Sequence, residues 1–443
     1  VIGTLYIARP SASADAPAPP RLFYAFAAIP FFDCIVDQVN FAFQVTVGPL
    51  SLLQVVHGAL MLVFAAISLR TILNNPSKLL QVPPAAIGAY LLIGMAATKE
   101  MILTGAVSMA SLAPYGQLAY WVLFWITISL VCERSEQAEI LLRGLAIGAM
   151  ATAFSVFLGF VFGAPNYYEE DAVISSAGWF DTAKMITGVL VTGGVVLLYL
   201  GRETKSWFYP LCACTCFAAC ILTYARAGSV ALAAVLLWLP VWMFLFGRNG
   251  RQQWVSRFLL LILLAAALVP SVLGTDRLFA RWGDVKQGDQ AGSGRAAFWK
   301  IAIDSYLDAS PSEQALGRGY HAMSEMLLTG YGMDIKHTHN DMLDMLTVGG
   351  IVGGVWLLLF AGTLLWRVLG CHLSSIEGGA SMAILLTYLL HSQFTGQIWG
   401  TDAMSYYVLS LTCLAILAKA NTVSTARAPQ PEPARYEPRT ATA

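Results

Sequence analysis

Apolar runs of about 17 to 25 residues recur from one end of the chain to the other, each long enough to cross the ~30 Å hydrocarbon core of a bilayer. No water-soluble fold hides so many of them. About twelve spans are predicted, near residues 22–37, 49–69, 84–104, 115–132, 145–163, 183–200, 207–224, 229–246, 257–274, 343–366, 379–397 and 403–419. The first is short and interrupted by Asp33. Of 443 residues, 57% are hydrophobic and 12% charged, about half the charged share of a soluble domain. A soluble protein of this length would need polar domain surfaces that these residues cannot supply. Lys+Arg and Asp+Glu balance at 26 each, so no global charge points to nucleic acid. The expected fold class is an all-α polytopic membrane protein.

Short loops set the expected orientation. With both ends of the chain inside, the cytoplasmic loops hold Arg70 and Lys78, Arg134 and Arg143, Arg202 and Lys205, then Arg248, Arg251 and Arg257, Arg367 and Lys419. The short outer loops are nearly free of Lys and Arg, and one carries Glu169, Glu170 and Asp171. This is the positive-inside asymmetry. It gives five expected segments: a cytoplasmic lead-in at 1–21, spans one to nine over 22–274, an outer loop domain at 275–342, spans ten to twelve over 343–419, and a cytoplasmic tail at 420–443. Both terminal segments are rich in Pro and Ala and read as disordered. The lead-in lacks the basic n-region of a signal peptide. In a bacterial inner membrane, the loop domain faces the periplasm.

That outer domain is unusually cationic, with Arg277, Arg281, Arg295, Arg318, Lys286, Lys300 and Lys336. Long domains escape the positive-inside rule, so a solvated surface would explain them; so would an anionic ligand at the outer leaflet. Ser293-Gly294-Arg295 opens a helix whose Trp299, Ile303, Tyr306 and Leu307 recur at helical spacing, and Asp308 to Pro311 ends it. Gly317-Arg318-Gly319-Tyr320 reads as a tight turn offering an arginine. His337-Thr338-His339-Asn340-Asp341 follows, with Asn340 or Asp341 capping the tenth span. Gly349, Gly350, Gly353 and Gly354 form interleaved small-xxx-small pairs, expected to admit another helix closely.

Taken together, Ser293-Gly294-Arg295 with Trp299, Gly317-Arg318-Gly319-Tyr320, His339-Asn340 with Gly350 and Gly353, and Tyr224-Ala225-Arg226-Ala227-Gly228 resemble the O-antigen ligase and polymerase superfamily of bacterial lipopolysaccharide assembly. Ser176 to Lys184 is loosely similar to its Gly-x-Phe segment, and the resemblance runs from about residue 175 to 370. It implies a GT-C-like membrane glycosyltransferase with a large, partly helical periplasmic loop between spans nine and ten. The ligase reading is favoured, although Gly354 stands where the ligase pattern has Thr. The resemblance further implies a glycan donor linked to undecaprenyl pyrophosphate and a lipid A–core acceptor. A polymerase would instead extend a second carrier-linked glycan.

The chemistry suits these residues. Arginine offers a permanent, planar, bidentate charge for a pyrophosphate leaving group, and Arg226, Arg295 and Arg318 are the candidates. An acceptor hydroxyl needs a base near neutral pH, and imidazole supplies one. His339 is the expected catalytic base, with His337 and Asn340 as secondary candidates. Direct displacement would invert the anomeric carbon. Blander roles remain open: His339 could cap its helix, Arg226 could snorkel to phosphates, Arg318 could brace the loop, and Arg277 and Arg281 beside Trp282 could anchor at the interface.

Lys99-Glu100, inside the third span, is an intramembrane ionisable pair and so a further candidate. His57 and His391 are expected to be hydrogen-bonded inside the bundle. Cys212, Cys214, Cys216 and Cys220 lack paired CxxC spacing and read as packing residues. Neither a metal nor a cofactor is expected. A secondary transporter is the rival class, since about twelve helices suit it too. Against it, no internal repeat is visible, and the polar residues gather at the outer face.

Overall fold

The computed structural model describes residues 21–48, 50–104, 109–162, 183–202, 207–246, 295–331 and 337–427. In chain order the helices are α1 (Arg21–Phe43), α2 (Leu52–Asn74), α3 (Pro84–Thr104), α4 (Met109–Val131), α5 (Ser135–Phe162), α6 (Ala183–Leu200), α7 (Phe208–Leu222) and α8 (Arg226–Phe246). Three shorter helices follow, α9 (Arg295–Leu307), α10 (Pro311–Leu316) and α11 (Tyr320–Tyr331), and then α12 (Asp341–Gly370), α13 (Ile376–Phe394) and α14 (Thr401–Arg427). A two-residue antiparallel ribbon, Thr46–Val47 with Leu50–Ser51, joins α1 to α2. The chain is an all-α polytopic membrane protein: among the described residues, eight helices are long and apolar enough to span a bilayer, and α6 and α7 contain shorter apolar helices.

The predicted spans fall on α1 to α8 and α12 to α14. The ninth, at 257–274, lies outside the described residues, as do Glu169, Glu170, Asp171, Ser293, Gly294, Lys336 and the cations at 248, 251, 257, 277, 281 and 286. Four helices overrun their predicted ends. α1 continues past residue 37 to Phe43, α2 past 69 to Asn74, α12 past 366 to Gly370, and α14 past Lys419 to Arg427, into the segment read as a disordered tail. Polar residues end an apolar run without breaking a helix.

Packing separates a protein core from a lipid-facing shell. Trp121, Trp125, Tyr120, Tyr388 and Tyr407 are fully buried, and the polar atoms of Trp121, Trp125, Tyr120 and Tyr407 find partners. Trp121 Nε1 donates to the Ile398 carbonyl at 3.2 Å and Trp125 Nε1 to Thr412 Oγ1 at 3.1 Å. The outer helices instead turn Leu62, Leu73, Leu91, Leu237 and Phe244 outward, which hydrocarbon solvates without cost.

One break organises the mouth of the bundle. Within α12, Gly350 adopts φ 61° and ψ −152°, a backbone open to glycine and strained for other residues. The break exposes carbonyls that a continuous helix would use. Arg318 N–H donates to the Thr347 carbonyl at 2.8 Å, and Gly319 N–H to Val348 at 3.1 Å. A Cβ on Gly350 would meet the backbone of Ala315 and Gly317, and one on Gly317 the backbone of Val348. The expected close approach of other helices is thus met at Gly349 and Gly350 but not at Gly353 and Gly354. Gly349 does face Leu92 of α3, but Gly350 receives the loop turn, while Gly353 and Gly354 lie against Met345 and Leu346 of their own helix.

Candidate active site at the mouth of the bundle

The starts of α6, α8, α12 and α14 and the end of α13 share one end of the bundle. Gly228 of α8 packs against Thr187 of α6. Thr187 Oγ1 lies 2.9 Å from His391 Nε2, and Tyr407 Oη lies 3.2 Å from His391 Nδ1. Asn340 Nδ2 donates to Gln393 Oε1 at 3.3 Å. His391 is thus the buried, hydrogen-bonded residue that its place in the sequence suggests.

The histidine turn is built around a carboxylate. Asn340 is the cap of α12, its Oδ1 accepting from Met342 N–H at 3.0 Å and Leu343 N–H at 3.1 Å. One turn on, Asp344 is fully buried. Its Oδ1 accepts from Thr338 N–H at 2.7 Å and Thr338 Oγ1 at 2.6 Å, and its Oδ2 from Trp399 Nε1 at 3.2 Å. That second oxygen also lies 3.8 Å from His337 Nδ1. His337 Nδ1 is 3.3 Å from His339 N, which donates to it, and the two rings stand 4.3 Å apart at 77°. His339 itself has φ 62°, a left-handed conformation uncommon outside glycine and concentrated at functional sites. The neighbouring bonds hold it there. Asp344 and Trp399 escaped the sequence reading; the available signal was a carboxylate inside an apolar span.

Helix α9 closes over this turn. Trp299 Nε1 donates to the Thr338 carbonyl at 3.1 Å, and the Phe298 ring is 6.3 Å from that of His339. The buried side chains of α9 are Phe298 and Ala302, whereas Ile303 and Leu307 are exposed. The helix is therefore rotated from its predicted phase, because outward apolar side chains at a membrane surface need no protein cover. The rotation matters for Arg295, which shares a face with Phe298 at i, i+3. That face is the one turned to His339.

Arg226 begins α8, half-buried, after a tight link in which Tyr224 has φ 53°. Its guanidinium and the positive end of α8 belong to one locality. Arg318 is held within the loop: Nη1 donates to Ser305 Oγ at 2.9 Å, and Nε lies 3.5 Å from Glu313 Oε1. Lys99 Nζ donates to the Gly317 carbonyl. His337, His339 and Asn340 thus share the turn that opens α12, and Arg295 begins the helix packed on that turn. Lys99 holds the Gly317 carbonyl, Arg226 lies at the same end of the bundle, and Arg318 is committed to the loop. The α7 cysteines are free thiols; Cys212, Cys216 and Cys220 are buried and Cys214 half-buried.

A comparison with protein families matches residues 211–358 to the family described as O-antigen ligase. The match begins in α7, takes in Arg226, the loop helices and the histidine turn, and ends in α12 beyond its break. A comparison with curated proteins gives no match.

Proposed function

We propose that this membrane protein, whose residues 211–358 match the O-antigen ligase family, transfers a glycan from undecaprenyl pyrophosphate to a sugar hydroxyl of lipid A–core. The reaction runs at the periplasmic face of a bacterial inner membrane. One observation carries the reading: a strained histidine, backed by a second histidine and a buried carboxylate, lies under a helix that opens with an arginine.

His339 takes the acceptor proton as the hydroxyl attacks the anomeric carbon. The sugar–phosphate bond breaks with its electron pair on the pyrophosphate, and the sugar leaves with inverted configuration. Arg226 and Arg295 neutralise the charge that grows on that leaving group, the role in which one lost donor typically costs ~3 kcal/mol. Arg318, tied to Glu313 and Ser305, adds positive potential and shapes the loop. His337 steadies His339 through the backbone, with Asp344 available to balance charge on the imidazole pair. Guanidinium groups rather than a metal ion do the neutralising.

A polymerase of the same superfamily is the second reading, supported by Gly354 where the ligase pattern has Thr. Deleting the gene separates them. Lipopolysaccharide with bare core and intact carrier-linked polymer means ligase; core bearing a single repeat means polymerase.

A further inference from the structure

Lys99 and Glu100 stand in the outer part of α3, where ionisable side chains are expensive and therefore usually functional. Neither is left to lipid. Lys99 Nζ donates to the Gly317 carbonyl. Glu100, 4% exposed, accepts from Tyr115 Oη of α4 at 3.1 Å, and that same oxygen accepts the Tyr320 N–H at 3.0 Å. Two adjacent residues of one helix thus hold both ends of the turn Gly317–Tyr320, one directly and one through Tyr115. The middle of the turn is held from the opposite side by the Thr347 and Val348 carbonyls of the broken α12. Glycine is required at 317 and 319, which have φ 74° and 86°; a Cβ on Gly319 would come within 3.4 Å of Glu100 Oε2.

The turn links α10 to α11 and carries Arg318. Gly330 of α11 packs on Ile301 of α9, and Arg318 of the turn donates to Ser305 of α9, so the turn and α9 are joined at two points. These helices meet the bundle through Phe298 and Trp299 on the histidine turn and Phe394, through Ala315 on Gly350, through Tyr320 on Trp399, and through the grip on Gly317–Tyr320. Loosening the grip lets the turn shift along that seam, and Arg295 then loses its register with Arg226.

We propose that Lys99, Glu100 and Tyr115 are positioning residues that fix the loop helices on the bundle and so set the donor-binding geometry of Arg295. The proposal rests on the reading of Arg295 as a contact for the donor's pyrophosphate.

The test uses full-length protein in nanodiscs, with kcat and KM measured for a polyprenyl-pyrophosphate-linked glycan and for the acceptor. Hydrogen exchange is followed at residues 317–320. Tyr115→Phe removes only the bridging hydroxyl, and Lys99→Met only the ammonium. Lys99→Arg keeps a donor, and Glu100→Gln keeps an acceptor. Tyr115→Phe and Lys99→Met should raise donor KM about tenfold while kcat and acceptor KM change less than about threefold, with faster exchange in the turn. Lys99→Arg and Glu100→Gln should stay near wild type. An unchanged donor KM in Tyr115→Phe and Lys99→Met, while Arg295→Ala raises it, overturns the positioning role alone. If Arg295→Ala also leaves donor KM unchanged, the donor-binding reading of Arg295 fails and takes this proposal with it.

Discussion

His339 stores backbone strain and shares one ring cluster with His337, yet the two side chains should not be equivalent. His337 accepts its neighbour's N–H and faces Asp344, which suits support. His339 faces Phe298 beneath the arginine helix, which suits contact with substrate. His339→Ala should abolish transfer at normal expression and membrane insertion, a loss of at least ~10²-fold for a general base; His337→Ala should be milder. Equal loss in both, in a purified transfer assay, would mean these roles are divided wrongly. The arginines admit a sharper comparison. Arg226→Lys and Arg295→Lys keep the charge but lose the planar fork, so each should impair transfer. If both grip one pyrophosphate, the double variant should lose less than the product of the single defects. Multiplicative losses would place them on separate groups.

Among the elements, α12 shows best what the sequence could and could not reveal. Its cap, its apolar length and its place after the loop were all legible, because they are properties of consecutive residues. Its break was not, since Gly350 is explained only by Ala315 and Gly317, which sequence distance conceals. The pattern Gly349, Gly350, Gly353, Gly354 suits a helix crossing equally well. Gly350→Ala should therefore cost about 1–3 kcal/mol in backbone strain alone and more through collision with the loop backbone. The checks are a lowered melting temperature and faster exchange at Arg318 and Gly319. Unchanged values would refute the docking described here. Helix α10 gives a test by pH. Ser310 caps it in a reciprocal box with Glu313. Hydrogen bonds from Ser310, first through its side chain and then its backbone, lower the Glu313 carboxyl below its ordinary 4.5, with Arg318 and Lys99 adding smaller pulls. A depressed folded value means the stabilisation is complete above the ordinary value and lost as pH falls through the lower one. Exchange in α10 should accordingly be flat from neutral pH to about 5, after correction for intrinsic rates, and rise only in stronger acid. Glu313→Gln should remove that acid dependence.

At the scale of the molecule, membrane class and helix positions were legible because apolar run length is nearly one-dimensional information. The site was half legible. Arg226, Arg295, His337 and His339 stand out as polar residues at helix starts and turns, whereas Asp344, Tyr115 and Trp399 matter only through contacts between distant segments. The phase of α9 was misread for a related reason: lipid at the mouth removes the penalty that normally tells an inward apolar face from an outward one. The proposed reaction is glycosyl transfer driven by the donor's own pyrophosphate bond, without an ion gradient and without a metal. One measurement bears on that most directly. Purified protein in detergent, where no gradient can exist, is mixed with undecaprenyl-pyrophosphate-linked glycan and lipid A–core in excess chelator, beside the His339→Ala variant. The account predicts glycan on the core with wild type and none with the variant. No transfer by wild type, restoration only by magnesium or manganese, or equal product from the variant would contradict it.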